Sequence, residues 1–526
     1  MTTSRLTQTA CSASPKIQLS LNDRSMTLLH RAGVAGLGMT LKQLKRRYPS
    51  PSQRVGQLDW SLSSHGIKLH WEGHDLDVLD WLLKESFQIN EQGMLCLMGL
   101  ETQILPSHSQ IAMHQGITGT FLQHNQVCDS SGQAPLVLEV NGRSITIWYK
   151  RVAAYAHQRF AKHLCDKKGQ FLRKPIQIAG WLYPGAIRTH NAFRNFTQFE
   201  SIPENALALL FAPVACWYFM LPIDSRNETA RYVVVIPEVD ELATHAEGNQ
   251  EVRNTSYENF WAANLADAGL KFLALQEVVA STRDSKARRC QCILFGKTKW
   301  AKQQIVRIKI EHIEVTQEIL LHYQSSCQYL PQNEVCNDQG KTAVTVSATR
   351  GMIAANLAQG LPWWFRFSER TANKNTPEDT SAEKEGLRRM IEEAAWEDQS
   401  KKLFVKACHE ALRRIYAKIY GQTPEGDYAR IERRNTRIRS ELGRCKNATT
   451  LRGCISRLFA EAGQIPILQE HWEALLPITT GESDWRITRD LMLLALASYK
   501  KSSTAENNTS SAKTAEAVQP DCETAN

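Results

Sequence analysis

The chain has 526 residues, 42% of them hydrophobic, and a formal charge of +9 at neutral pH. That length allows two or three domains with separate cores, and so moderate a charge points to an anionic partner only where it is clustered. Thirteen cysteines are scattered, and the amino terminus (Met1-Thr-Thr-Ser-Arg-Leu-Thr) lacks the apolar core of a signal peptide, so a cytoplasmic protein with reduced thiols is expected rather than a disulfide framework. Cys290-Gln291-Cys292 has the wrong inner spacing for a zinc knuckle, and Cys327 with Cys336 makes no second CxxC, so neither a metal site nor a cofactor is expected.

Residues 1–15 read as a loose polar start, and Lys16–Leu21 alternates like a strand. Met26–Leu44 reads as a helix carrying Gly33, Gly36 and Gly38. Their order is GxxGxG, not the GxGxxG of a dinucleotide loop, so the glycines are read as a close helix–sheet contact rather than a phosphate cradle. Leu58–Leu62 and Ile67–Trp71 are predicted strands, and a helix is predicted from Asp75 to about Phe87. His65, His70, His74 and Asp75 cluster in the sequence, but His74-Asp75 is more simply a helix start than half of a metal-dependent HD site.

Val137–Glu139 and Ser144–Tyr149 flank Asn141-Gly142, a two-residue hairpin signal. Arg151–Leu164 reads as a helix. The loop Trp181–Phe196 interleaves cations, amides and aromatics; Arg188, His190, Asn191, Arg194 and Asn195 are candidates to contact bases and phosphates. Ala206–Ile223 is apolar throughout, but Pro213 interrupts it, and it is read as a helix, Glu204–Phe211, and a buried strand, Val214–Leu221, pairing with Tyr232–Ile236. A helix from Tyr257 to about Ala280 is followed by Arg283, Lys286, Arg288 and Arg289, the strand Cys290–Phe295, Lys297 and Lys299, and the strand Ile305–Ile310. This hairpin, with cations at its mouth, is a second candidate for duplex contact.

Ala348–Gln359 is predicted helical and runs into Gly360-Leu361-Pro362-Trp363. The whole reads as α+β: a large mixed α/β region over 1–367, a linker at 368–383, a helical bundle over 384–500 and a polar tail over 501–526. Between Lys401 and Lys446 basic residues outnumber acidic ones by more than two to one. Val405, Cys408, Leu412, Ile415, Tyr416 and Ile419 mark one buried face, with Arg413, Arg414 and Lys418 off it. After a turn at Gly421–Asp427, Arg430, Arg433, Arg434 and Arg437 form a stripe without an interleaved acid. Few carboxylates offset it locally, so these seven cations are candidates to hold a nucleic-acid backbone.

Three stretches together resemble a known family: Leu28–Leu37, the Trp181–Phe196 loop with its Tyr-Pro-Gly-Ala and His190, and Ala354–Trp363. They are similar to the large subunit of type I CRISPR Cascade complexes, in the I-B-like branch found in cyanobacteria and some CRISPR-associated transposons. The resemblance implies a non-enzymatic protein that caps the 5′ end of the crRNA, reads the protospacer-adjacent motif (PAM) and helps open target double-stranded DNA. It implies backbone, 5′-end and small Cascade subunits as partners, with a transposition adaptor or a helicase-nuclease downstream and no membrane. The basic bundle resembles the Cascade small subunit, which in this branch can be made from an internal start; Met390, behind Lys384-Glu385-Gly386, is a candidate for one. Two rival readings are a scaffold whose basic bundle binds an acidic protein, and an HD-type metal-dependent nuclease built on His65, His70, His74 and Asp75.

Overall fold

A computed structural model describes residues 15–101, 105–123, 127–140, 142–184, 199–222, 231–252, 256–279, 288–297, 305–330, 334–338, 341–372, 381–421, 428–480 and 484–499. The chain divides into two units: residues 1–324 with 332–360, and residues 325–331 with 361–526. The first is mixed α/β and the second helical, as the sequence reading anticipated.

The first unit is built around the helix Leu28–Arg47, capped by Thr27, whose hydroxyl accepts from the His30 N–H. Nearly every residue from Leu29 to Leu41 is buried, so this helix has no polar face in its first half. It packs against the helix Pro203–Ala215. A Cβ on Gly33 would lie 2.1 Å from the Ala208 carbonyl oxygen, and one on Gly36 2.1 Å from that of Phe211. The glycines therefore do permit a close crossing, but against a helix rather than the expected sheet. Sequence alone could not choose, because Ala206–Leu221 is apolar enough to be either.

That apolar stretch continues as the strand Trp217–Leu221, every residue of it buried. It opens a four-stranded antiparallel sheet that continues through Arg231–Pro237, Arg288–Lys297 and Ile305–Val315. No described helix is long and apolar enough to cross a membrane. A smaller sheet joins Ile17–Ser20, Gly66–His70 and Asp59–Leu62.

Two 13-residue strands, Cys128–Val140 and Arg143–Tyr155, pair as the expected hairpin, with Gly142 at a φ of 72° and Asn141 outside the described residues. Pairing runs as far as Cys128 opposite Tyr155. The helix expected over Arg151–Leu164 is thus corrected. Arg151–Tyr155 is strand, followed by a 3-10 turn, Ala156–Arg159, and a short helix, Ala161–Leu164. Cross-strand partners and the burial of Val152 and Tyr155 override the helical propensity of that segment.

One buried charge cluster fastens three helices of this unit. The Asp267 carboxylate, on Leu265–Val279, accepts from the Ala263 N–H at 2.7 Å and from the Tyr323 hydroxyl at 2.7 Å, and Arg350 Nε lies 3.3 Å away. Burial opposes ionisation there. The Arg350 and Lys271 charges and the hydrogen bonds outweigh it and hold the Asp267 pKa below the usual carboxylate value.

In the second unit the helix Trp485–Ser498 is buried over most of its length and packs against the helices Phe367–Ala372, Ser381–Glu393 and Gln399–Gly421. Trp396 lies against Trp363 and Trp364, at ring-centroid distances of 5.4 and 6.1 Å. Asp490 accepts from the backbone N–H groups of Arg366 and Ser368 at 2.8 and 3.1 Å, so Leu361–Ser368 is part of this unit. Phe367–Ala372 and Ser381–Glu393 are helical at either end of the segment expected as a linker. The bundle is completed by Tyr428–Arg444, Ala448–Ala462, Pro466–Glu470 and Trp472–Thr480.

Candidate nucleic-acid interface

Helix Gln399–Gly421 buries Phe404, Val405, Cys408, Leu412, Ile415 and Tyr416. Its cations occupy the remaining surface, as the 3.6-residue period dictates. Arg413 and Arg414 both reach Glu410, at 3.2 and 3.1 Å, the i,i+3 and i,i+4 geometry of helical ion pairs. Helix Tyr428–Arg444 buries Asn435, Ile438 and Leu442 and exposes Arg430, Arg433 and Arg437. Arg433 Nε donates to the Ala429 carbonyl at 3.1 Å, and Arg437 pairs with Glu441 at 3.0 Å.

Arg434 behaves differently from its neighbours. Its side chain is only 19% exposed and forms an ion pair with Glu461 of the helix Ala448–Ala462, while Lys418 donates to the backbone carbonyl of that same Glu461. Residue 461 thereby ties three helices together. The stripe expected to run without acids is in fact met by carboxylates at Arg434 and at Arg437. One acid, Glu441, is four residues on from Arg437. The other comes from a helix that sequence spacing could not bring near.

Further cations lie outside the predicted stripe. Arg444, Lys446 and Arg457 are exposed, and Arg457 lies 3.7 Å from the same Glu441 that receives Arg437. Its Nη2 is 3.4 Å from Cys454 Sγ, which in turn lies 3.5 Å from Cys445 Sγ. Burial pushes the Cys445 thiol up to about 11, so it is protonated at neutral pH. Counting basic residues past the stripe would have found Arg444 and Lys446, whereas Arg457 comes from the next helix, Ala448–Ala462, and no spacing in the chain points to it. The exposed surface remains cationic, with Arg430, Arg433, Arg437, Arg444, Lys446 and Arg457 set against Glu432 and Glu441. Such a surface can neutralise backbone phosphates without reading bases.

The second candidate, the hairpin Arg288–Lys297/Ile305–Val315, has a different geometry from that expected. Arg288 and Arg289 pair with Val315 and Glu314 at the open end, whereas Lys297 pairs with Ile305 at the turn end. Nine strand rises separate Arg288 from Lys297, about 30 Å. These cations do not ring one mouth. Arg289 is engaged besides, with Glu314 at 3.2 Å and Glu238 at 3.9 Å. Arg283, Lys286 and Lys299 lie outside the described residues, as do Arg188, His190, Asn191, Arg194 and Asn195.

Two members of the cluster in the nuclease reading, Asp75 and His74, are engaged in local packing and hydrogen bonding. Asp75 accepts from the Phe171 N–H at 2.8 Å and the Trp71 indole N–H at 2.8 Å, with Lys16 at 3.4 Å. Burial opposes its ionisation, but these partners outweigh burial and hold its pKa below the usual value. His74 precedes the helix Asp75–Ser86 and packs against Gly169, where an added Cβ would meet its ring at 2.0 Å. His65 lies in the turn before the strand Gly66–His70. Among the described residues, no group of three or more His, Cys, Asp or Glu side chains is arranged to hold a metal ion.

Comparison with known proteins bears on both units. Residues 18–210 match the DevT N-terminal domain, and residues 392–526 match the DevT C-terminal domain. The chain is 26% identical over 521 residues to the CRISPR-associated protein Cas8a1/Csx13 of Myxococcus xanthus (strain DK1622), an alignment covering 92% of this chain and 88% of that protein. Over most of its length, then, the chain is similar to a CRISPR-associated protein, and it carries stretches that match both domains of DevT.

Proposed function

We propose that this protein is the non-catalytic large subunit of a CRISPR Cascade complex. The observation that carries the reading is the similarity to a Cas8a1/Csx13 protein along nearly the whole chain, which supports a CRISPR-associated large subunit. Its partners are crRNA, target double-stranded DNA and the other Cascade subunits, in the cytoplasm. Within that complex it recognises the PAM and the crRNA 5′ end and helps the R-loop form. The bundle of the second unit supplies sequence-blind contacts to target or non-target strand backbone, supported by its exposed arginines. Guide pairing supplies sequence specificity, so this surface needs no base readout. The PAM contacts are assigned to the 188–195 loop on its mixture of cations and amides. The I-B-like branch and a separate small-subunit product starting at Met390 belong to the same proposal.

The test is co-purification of the protein with its neighbouring gene products, followed by sequencing of bound RNA. One guide-length RNA with repeat-derived ends is the expected recovery. A clean protein with neither RNA nor partner subunits overturns the reading.

A further inference from the structure

We propose that an open cavity of the first unit binds a single unpaired nucleobase of a nucleic-acid strand. The inference rests on the reading of this chain as a nucleic-acid-binding subunit and adds a place where one base is held. The cavity measures about 590 Å3, within the range of about 300–1,000 Å3 typical of small-ligand sites. Its apolar wall includes Trp181, Phe160 and Ile176, and its polar lining includes Asp129, Arg159 and His163.

Local structure brings these residues together. The strand Arg143–Tyr155 ends in the 3-10 turn Ala156–Arg159, which delivers Arg159 and then Phe160. The short helix Ala161–Leu164 carries His163, and Trp181 follows the strand Ile176–Gln177. Trp181 is half-buried and fixed by its neighbours. Phe160 meets it edge-on, with centroids 5.8 Å apart at 84°, and His157 lies behind it at 5.0 Å. His157 is fully buried, and burial pushes its pKa down to about 3, so the aromatic wall has an uncharged backing at neutral pH.

The polar side of the cavity is open to exchange. Arg159 and Asp129 are 3.4 Å apart, with side chains 69% and 55% exposed. So exposed a pair contributes little, and the Arg159 fork can turn from the carboxylate to a phosphate at small cost. Lys162, Arg173 and Lys174 are exposed at neighbouring positions in the chain. An aromatic wall with a cationic rim is the chemistry that stacks a base and grips its phosphate. A paired base cannot enter a recess of this kind, so the occupant is unpaired.

The experiment uses the full chain with single-stranded RNA and DNA oligonucleotides, each carrying one 5-iodopyrimidine, followed by irradiation and mass-spectrometric mapping. The expected cross-link falls on Trp181 or Phe160, and whether RNA, DNA or both react identifies the strand that supplies the base. Trp181→Ala weakens oligonucleotide binding by about 5- to 150-fold, the range for one stacked base, and Trp181→Phe restores most of it. Because Trp181 also packs against the core, two exposed positions give independent variants: Arg159→Gln weakens binding, and Asp129→Asn does not. Cross-links that map only elsewhere, or wild-type affinity in a folded Trp181→Ala variant, overturn the proposal. So does free AMP or GMP binding as tightly as the oligonucleotides, which makes the cavity a small-molecule site. Retained salt-dependent binding with no cross-link at the cavity removes this inference alone, whereas no nucleic-acid binding at all removes the proposed function with it.

Discussion

Neutralising Arg430, Arg433 and Arg437 together, as the triple Gln variant, separates cations that face a polyanion from cations that hold the bundle together. All three side chains are exposed, so each can neutralise one phosphate and release one counterion. Each lost contact flattens the dependence of log K on log salt by about 0.9 on duplex and about 0.7 on single strands, so the triple variant loses roughly 2–3 in slope. Between 50 and 200 mM salt this corresponds to an affinity ratio smaller by about 20- to 40-fold. Arg434→Gln is the control, because its side chain is largely covered and engaged with Glu461. It should leave the slope unchanged and reduce bundle stability by no more than about 1 kcal/mol, given that the Glu461 side chain is 43% exposed. Fluorescence anisotropy of a labelled duplex of arbitrary sequence, titrated at several salt concentrations, reads both variants. An unchanged slope in the triple variant, or an equal flattening in Arg434→Gln, refutes the division between facing and tying arginines. A change in sequence preference rather than in slope refutes the assignment of this surface to phosphate.

Gly33→Ala and Gly36→Ala should each destabilise the first unit by about 1–3 kcal/mol, although helix propensity alone favours Ala over Gly by about 1 kcal/mol. The added methyl meets the Ala208 or Phe211 carbonyl at 2.1 Å, and a raised melting temperature in either variant would reject so close a crossing. Stability should also fall as pH drops from about 6.5 towards 4. Burial lowers His30 and His114 to about 4 and His157 to about 3, so the unfolded chain binds protons in that window that the folded chain does not. Each histidine contributes up to roughly 3 kcal/mol by the acid end of the window. His157→Phe, replacing a ring packed among Phe87, Tyr155 and Trp181, should leave the protein folded at pH 7 and make the acid limb of a urea-denaturation series shallower. An acid limb of unaltered steepness would count against the buried neutral histidine.

Much of the architecture was legible because it is local. Asn141-Gly142 between alternating apolar residues forecast the hairpin, and the periodicity of Val405, Cys408, Leu412 and Ile415 forecast a helix with those residues inside. The change from mixed to purely helical composition forecast the two classes of structure. Such signals survive because the i,i+4 period, the pleat and the φ > 0 turn depend on neighbouring residues. The segment 151–164 was misread where a distant strand made the decision. Its residues accept a helix, yet pairing with Cys128–Val140 and burial of Val152 and Tyr155 carry strand through Tyr155.

The candidate site divides along the same line. Sequence by itself determined that cations concentrate in the 401–446 region and which of them share a helix flank, since charge and the helical period are properties of the chain. Only the tertiary structure decided what those cations do. It delivered Glu461 from another helix to Arg434 and Lys418, and set Arg457 beside the Glu441 that holds Arg437. It also placed Arg288 and Lys297 at opposite ends of one hairpin. Coulomb energy falls with distance, and distances between elements are set by how apolar faces pack rather than by spacing in the chain.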